Sequence, residues 1–290
     1  MPGRRKYANV YLELAKVRIT FAVALTTITG YLLSKGSLDT GLILPAVGIF
    51  LLACGSSAIN HYQERDRDAR MERTRNRPIP SGRISPAGAL AYALALAIAG
   101  SAILYFSSGF VGMQLGLLAL IWYNVIYTPL KKKTAFAVVP GAFIGSIPPL
   151  VGWVAAGGSL SDPRAIFMAF FFFIWQVPHF WLLMLKFGDD YIKAGYPSIT
   201  SIYSSRQIRN ITFIWIVATA VTALMLPAFN VVDSWIVISG LFLSSIWLVG
   251  VFSRLLRNDE SGFSPLRYFM KINYFVLAVI IFLSLDRFIS

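Results

Sequence analysis

The chain has 290 residues, of which 57% are hydrophobic and 13% charged, and a net charge of +13. With a mean hydropathy of +0.66, it lacks the polar surface that a water-soluble domain of this length requires, so that class is excluded. A single cysteine, Cys54, excludes an internal disulfide, and its apolar surroundings predict a buried, inert thiol.

Apolar runs recur from end to end, and a helix needs about 20 such residues to cross about 30 Å of hydrocarbon. The pattern predicts an all-α polytopic membrane protein, one integral-membrane domain over residues 1–290. Nine spans are expected, near 17–34, 42–60, 87–106, 110–130, 137–156, 165–185, 211–229, 234–252 and 269–286. Arg4, Arg5 and Lys6 precede the first, whose length and lack of a small-residue cleavage site predict a span rather than a cleaved leader. The fifth and sixth spans carry Pro140, Pro148, Pro149 and Pro178. Proline inside a span frees backbone groups that a neighbouring helix or a polar cavity must satisfy.

Charge is distributed by side. With a cytoplasmic N-terminus, 23 of the 26 basic residues fall on cytoplasmic segments, and only Lys35, Arg164 and Arg287 lie opposite. The positive-inside rule therefore sets the orientation, with the C-terminus on the non-cytoplasmic side. The excess of positive charge is a topology signal, and no nucleic-acid partner is expected.

The second span runs into the first acidic segment. Asn60, Glu64 and Asp68 fall at i, i+4 and i+8, one face of a continuing helix. A carboxamide and two carboxylates one turn apart offer hard oxygen ligands suited to Mg²⁺. Asp66 points elsewhere on a regular helix and joins them only if the helix frays. Arg70, Arg73, Arg75 and Arg77 follow, and guanidinium groups grip phosphate oxygens bidentately. Carboxylates beside arginines suit a Mg²⁺-bound diphosphate. The competing reading is a solvated loop whose charges pair with one another.

The fourth span ends at Tyr127 with Lys131, Lys132 and Lys133, which topology explains but which also suit phosphate binding. The sixth contains Gln176 and His179, and ionisable groups inside spans are functional candidates by default. The alternative for His179 is a neutral imidazole bonded to a neighbouring helix. After it come Asp189 and Asp190, the acidic pair of the second long cytoplasmic segment. They suit a second Mg²⁺, or simply a polar turn before Gly195 and Pro197.

Together these motifs carry a resemblance. Asn60-xxx-Glu64-x-Asp66-x-Asp68, followed by Arg73-Thr74-xx-Arg77-Pro78, resembles the first signature of the UbiA superfamily of intramembrane prenyltransferases. Pro178-His179-Phe180-Trp181, followed by Asp189-Asp190-Tyr191-xx-Ala194-Gly195-x-Pro197, is similar to the heme-farnesylating branch of that superfamily, as are Tyr127-Thr128 and Pro148-Pro149-Leu150-xx-Trp153. The chain departs from the superfamily pattern in having Glu64 where aspartate is common, and Asp189-Asp190 after Lys186 in place of an Asp-xxx-Asp.

The resemblance implies a nine-helix bundle around a central apolar cavity, in a bacterial plasma membrane. It implies farnesyl diphosphate and heme B as substrates and heme O as product, with a heme A synthase or a terminal-oxidase assembly factor as possible partner. Asn60, Glu64 and Asp68 are then expected to hold one Mg²⁺, and Asp189 and Asp190 another. Arg73, Arg77 and a lysine of 131–133 are expected on the diphosphate, and His179 on the heme. The alternatives are a sister enzyme with a quinone or chlorin acceptor, a transporter, and a non-catalytic assembly factor.

Overall fold

The computed structural model describes residues 10–256 and 264–289, and every described element is helical. Arg4, Arg5, Lys6 and Arg257, four of the basic residues behind the expected orientation, lie outside the described residues. The long helices are α1 (Val17–Lys35), α2 (Ile43–Asp68), α3 (Pro86–Ile121), α4 (Val138–Ala155), α5 (Pro163–Lys193), α6 (Ser205–Met225), α7 (Trp235–Phe252) and α8 (Pro265–Ile289).

Local chemistry sets several of the ends. The Ser85 hydroxyl accepts from Gly88 N ahead of Pro86, and the Asp162 carboxylate accepts from Arg164 N ahead of Pro163; a side-chain acceptor followed by proline is a strong start signal. Ser204 and Gln207 form a capping box on α6. The start of α7 is capped from another helix: the buried Asp286 carboxylate on α8 accepts from Asp233 N and Ser234 N at 3.0–3.2 Å.

Eight segments are long and apolar enough to cross a membrane, where the sequence predicts nine spans. The difference lies in one segment, Pro86–Leu130, of 45 residues. As one straight helix it would reach about 68 Å, more than twice the hydrocarbon thickness. It is not straight. Gly109 has φ 66° and ψ −172°, a conformation closed to residues with a Cβ. A Cβ on Gly116 would lie 2.5 Å from Leu104 Cδ1, although twelve residues along a straight helix span about 18 Å. The chain therefore doubles back at Gly109.

The core divides along the chain. Ile49, Leu52, Leu104, Ile147 and Val151 centre one cluster among α1–α4; Phe171, Phe172, Ile216, Leu248 and Phe275 centre a larger one, mostly among α5–α8, which Leu33 of α1 and Trp153 of α4 join. Phe106 and Trp235 are 84% and 80% exposed, as side chains facing lipid tails must be. Cys54 is buried, its thiol against the Thr20 hydroxyl at 3.3 Å.

Helix α1 crosses α4 closely through small residues. A Cβ on Gly30 would strike the Pro149 carbonyl, and one on Gly152 the Thr27 carbonyl. Without a hydrophobic force between helices in lipid, such close contact holds a bundle together. The Thr27 hydroxyl also donates to Pro148 O at 3.0 Å, using a carbonyl in the proline-interrupted part of α4.

Because the obstructing atoms are backbone, they cannot swing aside. Gly152→Val is expected to cost about 1–3 kcal/mol and to lower the melting temperature in detergent by roughly 5 °C. Gly250→Val, at a site with no atom within 4 Å of the new Cβ, should leave it unchanged. Differential scanning fluorimetry of the two variants checks this.

Candidate active site at the end of helix α2

Helix α2 continues past its apolar stretch to Asp68, so its last two turns carry the expected acidic face. Asn60, Glu64 and Asp68 are 1%, 4% and 0% exposed and all line one cavity of about 200 Å³. Lys16, Arg73, Arg77, Tyr127 and Lys131 line it too. Ile19, Val138, Phe180, Leu183 and Met184 give it apolar walls.

Each carboxylate meets a cation. Arg77 Nη1 donates to both Asp68 oxygens, at 2.9 and 2.7 Å. Lys131 Nζ lies 2.6 Å from Glu64 Oε1, which also accepts from the Tyr196 hydroxyl at 2.9 Å. The Asn60 amide donates to the Thr128 hydroxyl at 3.1 Å, and its oxygen accepts from Lys16 Nζ at 3.4 Å.

A π-helical turn over Trp122–Tyr127 prepares one wall. It places Tyr127 beside Phe180, with centroids 6.1 Å apart, and Lys131 over the Tyr127 ring at 5.5 Å. Gln63 donates to the Asn124 carbonyl within this turn at 3.0 Å, tying it to α2.

Two loops close the end of the bundle that carries this face. Residues 69–85 fold back on α2, with Thr74 donating to Asp68 O at 2.9 Å. Arg73 lies over the Phe187 ring at 4.7 Å and Arg67 over Tyr196 at 4.3 Å. Met71 packs with Ala194 and Tyr196 after α5. The two acidic segments singled out in the sequence are thereby brought together, through aromatic and cationic contacts.

The electrostatics favour an anion. Burial, then the Arg77 guanidinium, push the Lys16 ammonium down to about 7, with Glu64 pulling the other way. Against the desolvation of burial, Glu64 holds the Lys131 ammonium well above the ordinary lysine range. Burial, then Glu64, raise the Tyr196 phenol, so it stays a donor. Arg73, Arg77 and Lys131 face two carboxylates here, and Lys16 adds a charge where it is protonated, a surplus that a diphosphate neutralises.

The sequence-predicted residues divide. Asn60, Glu64, Asp68, Arg73, Arg77, Tyr127 and Lys131 share the cavity. Asp66 does not: α2 stays regular, and its side chain is 78% exposed beside Arg65. Lys132 turns away and reaches Gln63 O at 3.4 Å. Asp189 is exposed and Asp190 half-buried on α5, and neither lines the cavity; Tyr191 and Tyr196 occupy that wall instead. His179 lies deeper on α5, with Nδ1 2.9 Å from Asn273 Oδ1. Lys16 and Tyr196 went unpredicted: each stands alone in the sequence, far from the residue it contacts.

The donor set fits Mg²⁺. Among the described residues no three His, Cys, Asp or Glu gather around one point. Mg²⁺, however, is commonly held by one or two carboxylates together with water and substrate phosphates, and Glu64, Asp68 and the Asn60 oxygen supply that minimum on one buried face.

Fold and site define the class: a polytopic helical membrane protein with an anion-attracting, carboxylate-bearing cavity at one end of the bundle. The UbiA prenyltransferase family matches residues 23–275, and the chain belongs to it. It is similar to the protoheme IX farnesyltransferase of Oleidesulfovibrio alaskensis, at 35% identity over 96% of both chains. In fold it is similar to a digeranylgeranylglyceryl phosphate synthase (TM-score 0.77, 16% identity, 97% of this chain and 98% of that one). It also resembles a UbiA homolog from Archaeoglobus fulgidus solved with GPP and Mg²⁺ (TM-score 0.69, 14% identity, 94% and 97% covered).

Asp68 has no exposed surface and Arg77 is its ionic partner. Arg77→Met should therefore cost about 3 kcal/mol of stability, since it strands a buried carboxylate. Adding Asp68→Asn should restore a large part. A double-mutant cycle on detergent-solubilised protein measures the coupling.

Proposed function

We propose that this prenyltransferase moves the farnesyl group of farnesyl diphosphate onto a vinyl group of heme B, yielding heme O and diphosphate. Support comes from the protoheme IX farnesyltransferase at 35% identity along 96% of both chains. The observation that carries the mechanism is one cavity joining Asn60, Glu64 and Asp68, basic side chains and apolar walls.

Asn60, Glu64 and Asp68 would hold Mg²⁺, as part of a site that includes the diphosphate of the substrate. When bound, Mg²⁺ supplies Lewis-acid stabilisation of the negative charge that grows on the leaving group. Arg73, Arg77, Lys131 and Lys16 bind the remaining diphosphate oxygens and hold the head group where the ionic interactions are strongest. The farnesyl C–O bond breaks with its electron pair going to diphosphate. The Tyr127 ring faces the cationic carbon that remains, and Phe180, Leu183 and Met184 keep water from it. The vinyl π electrons of heme then form the new C–C bond. The cation left on the porphyrin substituent takes hydroxide from water, whose proton passes to solvent. Asp189 and Asp190 have no part in this scheme, which confines the metal set to α2.

The chain acts as one integral-membrane domain over residues 1–290 of a bacterial plasma membrane, with nine crossings. The ninth comes from counting Pro86–Leu130 as two crossings joined at Gly109, whose backbone is non-helical. The site opens to the cytoplasm and the C-terminus lies opposite, as the distribution of basic residues requires. The product passes to an enzyme that oxidises it or to an assembly factor for an oxidase.

Membranes carrying Asp68→Asn should form heme O from heme B and farnesyl diphosphate at least about 100-fold more slowly, the scale of losing one electrostatic group at a reacting centre. Excess chelator should silence the wild type, and Mg²⁺ should restore it. Undiminished turnover by the variant sinks the metal assignment. Since Cys54 is buried, single cysteines are readable against a low background. A membrane-impermeant maleimide added outside intact cells should label Arg164→Cys and spare Arg75→Cys; the reverse result inverts the orientation.

A further inference from the structure

The turn after α5 is built to hold one side chain still. Gly195, at φ 76°, ends the helix in a left-handed conformation that a residue with a Cβ resists. Its N–H donates to Ile192 O and the N–H of Tyr196 donates to Tyr191 O, both at 2.9 Å. These two bonds form a Schellman motif, and the side-chain contact that accompanies such a motif is present too: the Tyr191 and Tyr196 rings lie 5.4 Å apart. Pro197 follows and restricts the Tyr196 backbone further. Met71 packs with the same ring, and the Arg67 guanidinium lies over it at 4.3 Å. Tyr196 is thereby buried on the cavity wall.

Its hydroxyl reaches α2, where it donates to Glu64 Oε1 at 2.9 Å. Lys131 Nζ lies 2.6 Å from that same oxygen. A glutamate has one more rotatable bond than an aspartate, and so more freedom to lose before its carboxylate is fixed. Two donors on Oε1 remove that freedom, and one of them stands on a turn whose own backbone is set. They also divide the carboxylate: Oε1 is spent, and Oε2 is the oxygen left for a ligand in the cavity. An aspartate on the same backbone, one methylene shorter, would draw back from the phenol and lose the bond.

We propose that Tyr196 is a positioning residue for Glu64: together with Lys131 it holds Oε1 and so presents Oε2 to the metal-bound diphosphate. The inference rests on the α2 residues holding Mg²⁺. The Glu64–Tyr196 pair does across two segments what a shorter carboxylate does alone, and it makes the metal site depend on the turn after α5 being seated against α2.

The test uses purified full-length protein in nanodiscs and the Mn²⁺–diphosphate complex as the probe, its binding followed by electron paramagnetic resonance against the protein-free complex. Tyr196→Phe, which removes a single oxygen, should weaken binding at least about 10-fold, the scale of losing a partner that orients a metal ligand. Glu64→Asp should still bind, and adding Tyr196→Phe to it should change nothing, because the shorter carboxylate does not reach the phenol. A tyrosine that merely supports the fold would weaken both backgrounds alike. That result, or no loss in either background, overturns the positioning and leaves the metal set standing. Binding that is absent from wild type, or indifferent to Glu64→Gln, overturns the metal role of Glu64, and the positioning with it.

Discussion

Two carboxylates buried at the end of a membrane-spanning helix impose the constraint on which the site depends. Glu64 and Asp68 expose almost no surface, and in such a place a lone charge is far costlier than in water. Each therefore has a cation in contact, Lys131 from beyond the π-helical turn and Arg77 from the loop that folds back on α2. Those partners come from different parts of the chain, so satisfying two charges draws three segments to one point. The loop of 69–85 and the turn at Tyr196 close over them, held by guanidinium–ring contacts.

The same constraint divides the cavity. Its charged end suits a diphosphate, because Arg73, Arg77 and Lys131 alone outnumber the two carboxylates. Its other end is aromatic and aliphatic, which suits a prenyl chain and protects a cationic intermediate. Where these ends meet, Tyr127 and Phe180 pack against each other. Reaction at that boundary needs a substrate with an anionic head and an apolar tail.

Much of this was legible in the sequence where the information is local. The i, i+4, i+8 spacing of Asn60, Glu64 and Asp68 placed them on one face because α2 runs unbroken to Asp68. The same regularity carries Asp66 to the opposite face. Asp189 and Asp190 lie outside the lining of the cavity, a placement the sequence does not state: a charge pair near a membrane surface reads alike whether it faces a cavity or water, and the direction depends on how α5 is rotated. Lys16 and Tyr196 were hidden for the complementary reason: each reaches the site by contact with a residue 44 or 132 positions away. The span count turned on Gly109, since a glycine within an apolar run reads as helix unless its backbone is seen.

The central claim is that a cavity built around buried, cation-paired carboxylates joins a farnesyl group to heme. Mass spectrometry of the product made by the purified protein from heme B, farnesyl diphosphate and Mg²⁺ tests it most directly. The account predicts the mass of heme O, a porphyrin carrying one hydroxylated farnesyl substituent, formed together with diphosphate. Heme B recovered unmodified, from protein that transfers the prenyl group to a quinone precursor under the same conditions, would contradict it.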